Sequence, residues 1–268
     1  NCNRSLIRDI NVSSGALGVY LSDSKDCLIQ NVSADGNGVK GIEIEVCKNL
    51  TISRCSVNKS GSIGISLTGT ENFTISRVNA SRCGKYGLSL GVNNGTVRDC
   101  IIEMNQERGI EAYSGENITI HDNRVNHNYL YGISLGSFKN ANVTHNTLQN
   151  NSIGCRLYNS DNVTVMHNSF LEISTVGVDI KSSSEGNLIF NNTFLQNAKG
   201  GKDDGMYNKW DNGTFGNYWE NYGGRDADDD GFGDSPHPID GNAGSVDNHP
   251  IWWDAPTIHV LSPDNGTE

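Results

Sequence analysis

The sequence predicts an all-β chain wound as a right-handed parallel β-helix. This is a solenoid of 22–23-residue coils with three strands per coil, closed by a C-terminal cap. Three observations predict it. A tetrapeptide, Gly-apolar-x-apolar, returns at Gly18, Gly41, Gly64, Gly87, Gly109, Gly132, Gly154 and Gly177, in steps of 22 or 23 residues. A second marker, Asn-x-Thr-apolar, keeps step with it at Asn49, Asn72, Asn94, Asn117 and Asn162, with looser copies at Asp26, Asn140 and Asn187. After Asn197 both markers stop and the composition turns aromatic and acidic. Self-similarity at such a period is the signature of units that bury their apolar faces only by stacking on one another.

Residues 1–16 read as a partial coil with Leu6, Ile7, Ile10 and Val12 as its apolar positions. From residue 17 each coil carries three short runs of period-2 alternation, which mark strands. In the third coil these are Ile63, Ile65 and Leu67, then Phe73 and Ile75, then Val78 and Ala80. The turns between runs are rich in Gly, Asn and Ser, which accept positive φ at little cost. Parallel crossovers are right-handed almost without exception, which sets the hand. The domains read as a β-helix over 1–198, a cap over 199–253, and a linker or the start of an immunoglobulin-like domain over 254–268.

Two asparagine columns follow from the register. One contains Asn37, Asn105, Asn128 and Asn151, with Ser60 and Cys83 between them; the other turns from Val32, Cys55, Val78 and Cys100 to Asn123, Asn146 and Asn168. Stacked asparagines can bond amide to amide along the axis. Cysteines occupy apolar columns: Cys27 aligns with Leu50 and Phe73, and Cys155 replaces the aliphatic residue of the tetrapeptide. They are expected to be buried free thiols. The many Asn-x-Ser/Thr sequons arise mostly from the repeat, although exposed ones are open to glycosylation.

The net charge of −11 argues against a nucleic-acid partner. No apolar run is long enough to insert into a membrane. The chain starts at Asn1 without an initiator Met or signal peptide, as a piece of a longer protein would.

Three groups of residues can carry chemistry. The outward column of the tetrapeptide strand runs Tyr20, Glu43, Ser66, Ser89, Glu111, Ser134, Arg156, Asp179, and the next outward column includes Tyr113 and Tyr158. Tyr20, Glu43, Glu111, Tyr113, Arg156 and Tyr158 form a candidate glycan-binding face. Glu111, Arg156 and Asp179 are the candidates for catalysis there. Glu111 and Asp179 fall three coils apart, roughly 14 Å; glycoside hydrolysis asks for carboxyl groups about 5–10 Å apart. In the cap, Asp226, Asp228 and Asp230 stand at positions 1, 3 and 5 of an EF-hand-like loop. Gly231 takes position 6, the Phe232 carbonyl position 7 and Asp234 position 9. Position 12 is His237 rather than Glu, and Asp240 is the substitute ligand. The expected ion is Ca²⁺, with a structural role. A third column places Asp122, His145 and His167 on consecutive coils, either as a charge ladder or as transition-metal ligands.

The order of cap motifs carries a resemblance. Asn208-Lys209-Trp210, Gly216-Asn217-Tyr218-Trp219-Glu220-Asn221-Tyr222, Asp226 to Pro236, Ile239-Asp240-Gly241 and Asp247 to Ile251 together resemble the C-terminal part of the NosD-like β-helix family. That family includes archaeal cell-surface and S-layer-associated proteins, and its repeats occur in carbohydrate-binding proteins and sugar hydrolases. The resemblance implies a secreted, extracellular or cell-surface module whose partners are polysaccharide or cell-surface glycan and adjacent surface domains of the same polypeptide. It leaves two alternatives: a polysaccharide lyase, hydrolase or epimerase acting on the tetrapeptide face, and a periplasmic copper-site maturation protein.

Overall fold

The computed structural model describes residues 3–252. The predicted linker or following domain at 254–268 lies outside the described residues, as do Cys2 and Trp253. Successive coils pair in parallel. The tetrapeptide strands Leu17–Ser22 and Lys40–Glu45 stack in register, and the ladder continues through Ile63–Ser76, Tyr86–Arg98, Arg108–His121, Tyr131–Lys139, Ile153–Tyr158, Val176–Ile180 and Gly201–Asp203. That makes nine rungs among the described residues. The longer strands run on into the Asn-x-Thr run, which forms a second sheet face. A third face stacks Ile101–Glu103, Arg124–Asn126, Thr147–Gln149, Ser169–Leu171, Thr193–Leu195 and Tyr218–Trp219.

Both sequence markers have a steric cause. The corner column Asp26, Asn49, Asn72, Asn94, Asn117, Asn140 and Asn162 has φ from 52° to 58°. This is the left-handed region, which Asn and Asp tolerate better than other side chains. The tetrapeptide glycines answer a close approach instead. A Cβ on Gly64 would sit 2.6 Å from the Gly87 carbonyl oxygen, and one on Gly132 would sit 2.7 Å from that of Gly154. Apart from Gly87, which is crowded by the Ile102 and Asn105 side chains, each tetrapeptide glycine lies against the next coil's backbone, so no side chain fits.

The core is a continuous stack of aliphatic columns from Val19 to Ile180. Cys27, Cys47, Cys55, Cys83, Cys100 and Cys155 are buried and free, as expected. Burial pushes the Cys155 thiol up to about 12, which leaves it inert. Buried asparagines form ladders along the axis. The Asn123 side-chain amide donates to Asn146 Oδ1, Asn146 to Asn168, Asn168 to Asn192 and Asn192 to Asn217, each at 3.0 Å. The ladder ends at Asp247, whose Oδ2 accepts from the Asn217 main chain at 2.7 Å and from Trp219 Nε1 at 2.8 Å. The polarity of the ladder requires a pure acceptor there, and a carboxylate is one.

The solenoid runs past the predicted boundary at 198. Gly201–Asp203 pairs with Val176–Ile180, and Tyr218–Trp219 with Thr193–Leu195. Met206 and Lys209 bridge to Glu185 and Leu188. The last full coil escapes the repeat pattern because its core is aromatic. Phe170, Phe194 and Trp219 stack face to face, with centroids 5.0 Å and then 4.4 Å apart. A Cβ on Gly200 would meet Trp219, and one on Gly201 would meet Trp210, each at 2.5 Å. The glycine pair makes room for the indoles that close the core.

Candidate functional site

On the tetrapeptide face, five side chains interleave over four successive rungs, the last of which carries two of them. Arg108 lies over the rings of Tyr86 and Tyr131, at 5.2 and 5.1 Å. Arg156 lies over Tyr131 and Tyr158, at 5.0 and 5.5 Å. Guanidinium planes held over aromatic faces in this way are cation–π contacts. Arg108 also pairs with Glu111 at 2.6 Å. Burial alone would lower the Arg108 pKa, but the charge of Glu111 and its hydrogen bond outweigh burial and hold it above its ordinary value. Arg156 donates to the Tyr131 hydroxyl at 3.3 Å and has no ion pair with a carboxylate among the described residues. Four buried polar atoms here lack a hydrogen-bond partner: Arg108 Nε, Glu111 Oε2, Arg156 Nε and Asp179 Oδ1. Native proteins rarely leave such atoms unpaired unless a ligand or water meets them.

The predicted face divides in two. Glu111, Arg156, Asp179 and Tyr158 belong to this cluster, and register places Asp179 directly beside Arg156. Tyr113 folds back so that its ring covers Gly91, 2.9 Å from where a Cβ would stand. Tyr20 and Glu43 do not join them. Tyr20 is four rungs from Glu111, roughly 19 Å, and donates its hydroxyl to Glu45 at 2.9 Å, while Glu43 is engaged by Lys40.

Residues missed in the sequence complete the face. Tyr86, Arg108 and Tyr131 share the column three positions before the outward carboxylates. The recurring i,i+3 spacing of Lys40 with Glu43 and Arg108 with Glu111 was the signal. The outward column also continues past Asp179 to Lys202 and then Asp240. Asp179 pairs with Lys181 at 2.7 Å, Lys202 with Asp204 at 2.6 Å, and Lys199 with Asp240 at 2.8 Å.

The acidic loop forms as spaced. One carboxylate oxygen from each of Asp226, Asp228 and Asp230 lies within 4.8 Å of the others. Asp226 accepts from the Gly231 main chain at 2.9 Å, Asp230 from Phe232 at 2.9 Å and Asp234 from Ala227 at 2.8 Å. Asp229 and Gly231 turn the loop at φ 61° and 88°. The charge of Asp230, with lesser contributions from burial, Asp234 and Asp226, pushes the Asp228 carboxyl up. Hard oxygen donors in mutual repulsion fit a cation such as Ca²⁺. Asp240 is a correction: it sits beside Lys199 on the solenoid face, because its backbone pairs with Lys202 rather than following the loop.

The Asp122, His145 and His167 column supplies no convergent ligand set. These residues occupy a left-handed corner, with φ of 56°, 55° and 55°. The two imidazoles stack at 4.9 Å, presenting faces to each other, and Asp122 is held by His121 at 2.6 Å.

Comparison with known proteins agrees with the fold. The family described as right handed beta helix region matches residues 1–148. The family described as periplasmic copper-binding protein (NosD) matches residues 77–224. No curated protein matches. Similar solved structures include the A-module of mannuronan C-5 epimerase AlgE4 from Azotobacter vinelandii, with TM-score 0.61, 16% identity, and coverage of 69% of this chain and 57% of that one. The Dettilon tailspike protein gp208 has TM-score 0.62 and 14% identity, covering 79% of this chain and 48% of its own. The surface protein and adhesin PfbA of Streptococcus pneumoniae has TM-score 0.62 and 17% identity, covering 77% and 67%. The chain thus spans about half to two thirds of these structures, and at such identities they share its fold alone. With the family matches lying over coils and cap whose stacking is now accounted for, this chain belongs to the NosD family of right-handed β-helix proteins.

Proposed function

We propose that this chain is an extracytoplasmic polysaccharide-binding module of a larger surface protein. The observation that carries the reading is the Tyr86–Arg108–Tyr131–Arg156–Tyr158 stack beside Glu111, with buried polar atoms of three of those residues left without partners. Polar groups preorganised between aromatic rings offer a sugar both a flat apolar surface and fixed hydrogen-bond partners. The family's periplasmic description and the adhesin among the similar folds support a place outside the cytoplasm, at a cell surface or in an S-layer-like array. Ca²⁺ held by Asp226, Asp228, Asp230 and Asp234 braces the cap rather than the groove.

A second reading is modification of the polysaccharide by epimerase, lyase or hydrolase chemistry. It is favoured by Glu111 and Asp179, whose Oε2 and Oδ1 have no hydrogen-bond partner. Three rungs apart, roughly 14 Å, they suit proton abstraction by one carboxylate, as in an epimerase or lyase, better than the paired carboxylates of a hydrolase. The mannuronan C-5 epimerase among the similar folds is in keeping with it. A glycan-array screen with and without chelator, followed by turnover assays on each hit, tests both readings. Binding abolished by Arg156→Leu and Glu111→Gln, without turnover, supports the module. Turnover lost in those variants moves the assignment to an enzyme. Unchanged binding in both variants removes the stack from the function.

A further inference from the structure

The face does not simply run off the end of the solenoid. Its outward column reads Arg156, Asp179, Lys202 and Asp240 on consecutive rungs. At the final rung lies a cavity of about 600 Å³, within the range of small-molecule sites. One wall is the last tetrapeptide strand, with Lys199, Gly200 and Gly201. The opposite walls are cap segments that carry Tyr222, His237 and Asp240.

The cavity is built rather than accidental. His237 stacks on Trp219 at 4.4 Å, continuing outward the aromatic column that closes the core. The Tyr222 hydroxyl donates to the Ser235 carbonyl at 2.6 Å, and it occupies space that a Cβ on Gly224 or Gly233 would take. The cavity also lies in line with the stack. The Gly177 main chain donates to the Lys199 carbonyl at 2.8 Å, and extending the Val178–Gly201 register back by two residues sets Lys199 beside Val176, which aligns with Ile153 and Tyr131 in the column that holds Arg108. Lys202 stands two rungs beyond Arg156, roughly 10 Å along the axis.

Charge points to the ligand class. Along this end of the face Arg108 is paired with Glu111, Lys181 with Asp179, Lys199 with Asp240 and Lys202 with Asp204, so that Arg156 stands among matched charges as a cation without an ion pair. Arg156 has no carboxylate partner, so its guanidinium is free to take one from a ligand.

We infer that the cap cavity is a terminal subsite that receives the end residue of a uronate-containing polysaccharide lying along the Tyr–Arg face. The inference rests on the polysaccharide reading above and deepens it, from binding along a chain to recognition of a chain end. The interior of the polymer meets Arg156. The last sugar meets Lys199 through its carboxylate, Asp240 through its hydroxyls, and the Tyr222 and His237 rings through its face.

The test is calorimetric titration of the chain with hexagalacturonate. Two controls are the same hexamer reduced to the alditol at its reducing end and a hexamer with an unsaturated non-reducing end. Long polygalacturonate is the interior-binding comparison. Gly223→Leu fills the cavity from a position where a Cβ meets no atom within 4 Å, and Lys199→Met removes its cation. The expected result is that one end-modified hexamer binds about tenfold more weakly than the native one, the scale of a lost charge-assisted contact. Both variants then weaken the native hexamer by a similar factor and erase that discrimination, while polygalacturonate is held as before. If Arg156→Leu abolishes hexamer binding but neither cavity variant nor either end modification alters it, the face is a glycan site and the terminal subsite is overturned. If binding is indifferent to Arg156→Leu, or no hexamer binds, the polysaccharide reading falls as well.

Discussion

Asn146→Ala tests the claim that buried amide ladders hold successive coils together. Its Oδ1 accepts from the Asn123 main chain and side chain, both at 3.0 Å. Its Nδ2 donates to the Ile120 carbonyl at 2.8 Å and to Asn168 at 3.0 Å. Truncation removes four hydrogen bonds at a residue that is 1% exposed. Each bond contributes about 1 kcal/mol, and every donor stranded without water costs ~1–3 kcal/mol. A loss near 4 kcal/mol follows, which for a chain of this size lowers the melting temperature by roughly 8–16 °C. The control is Gln149→Ala. The Gln149 side chain donates to Glu172 at 2.9 Å in a solvent-exposed bond, and its backbone is not in the left-handed region, so water replaces the lost bond and the change should stay within ~0.5 kcal/mol. Melting by far-ultraviolet circular dichroism compares the two. If Asn146→Ala melts within 2 °C of Gln149→Ala, the ladder contributes nothing that ordinary backbone pairing does not already supply, and the reasoning fails.

Other outcomes follow from the cap and the repeat. Trp219→Ala removes the indole that links Phe194 to His237, so a core loss of about 3–5 kcal/mol is expected, read as an earlier unfolding of the cap. Asp211 is held below the usual carboxylate range: burial pushes it up, but bonds donated by the Asn248 main chain and side chain and by Gly213 outweigh burial. A depressed folded pKa means that its contribution is present above ~3.9 and is lost as pH falls through the folded value. Asp211→Asn should therefore lower cap stability at pH 7, by tryptophan fluorescence, and converge with the wild type near pH 2; a gap of equal size at both pH values contradicts this. Ca²⁺ at a hundredfold excess over its Kd should stabilise the chain by about 2.7 kcal/mol. Asp228→Asn with Asp230→Asn should abolish that shift, and a shift that survives in the double variant places the ion elsewhere. Gly64→Ala sets a methyl against the Gly87 carbonyl and should cost more than Gly136→Ala, where a Cβ meets nothing within 4 Å; equal melting temperatures refute the close-approach account of the repeat glycine.

The repeat was legible because its causes are local and recur. A glycine pressed against the next backbone, an asparagine or aspartate at the left-handed corner before the second strand and an aliphatic residue facing the core recur on most coils. Period and register could thus be counted without coordinates, and the cysteine columns and the first members of the ladder, Asn123, Asn146 and Asn168, fell out of that count. The last coil was not legible. Its core is filled by Trp210 and Trp219, and insertions displace its spacing, so the asparagine ladder passed unnoticed through Asn192 and Asn217 to Asp247, and the strand ladder through Gly201–Asp203 to Asp240. The candidate face was half legible. Column membership located Glu111, Arg156 and Tyr158, but columns list neighbours without saying which side chains lean together.

The sequence alone determined the solenoid, the shared face and the acidic loop, since each depends on spacing along the chain. Tertiary structure alone decided that Arg108 and Arg156 lie between tyrosine rings, that Asp240 leaves the acidic loop for Lys199, and that the cap encloses a cavity at the end of the face. Those are relations between side chains on different coils, and their rotamers and packing are set by the contacts themselves rather than by any period in the residues.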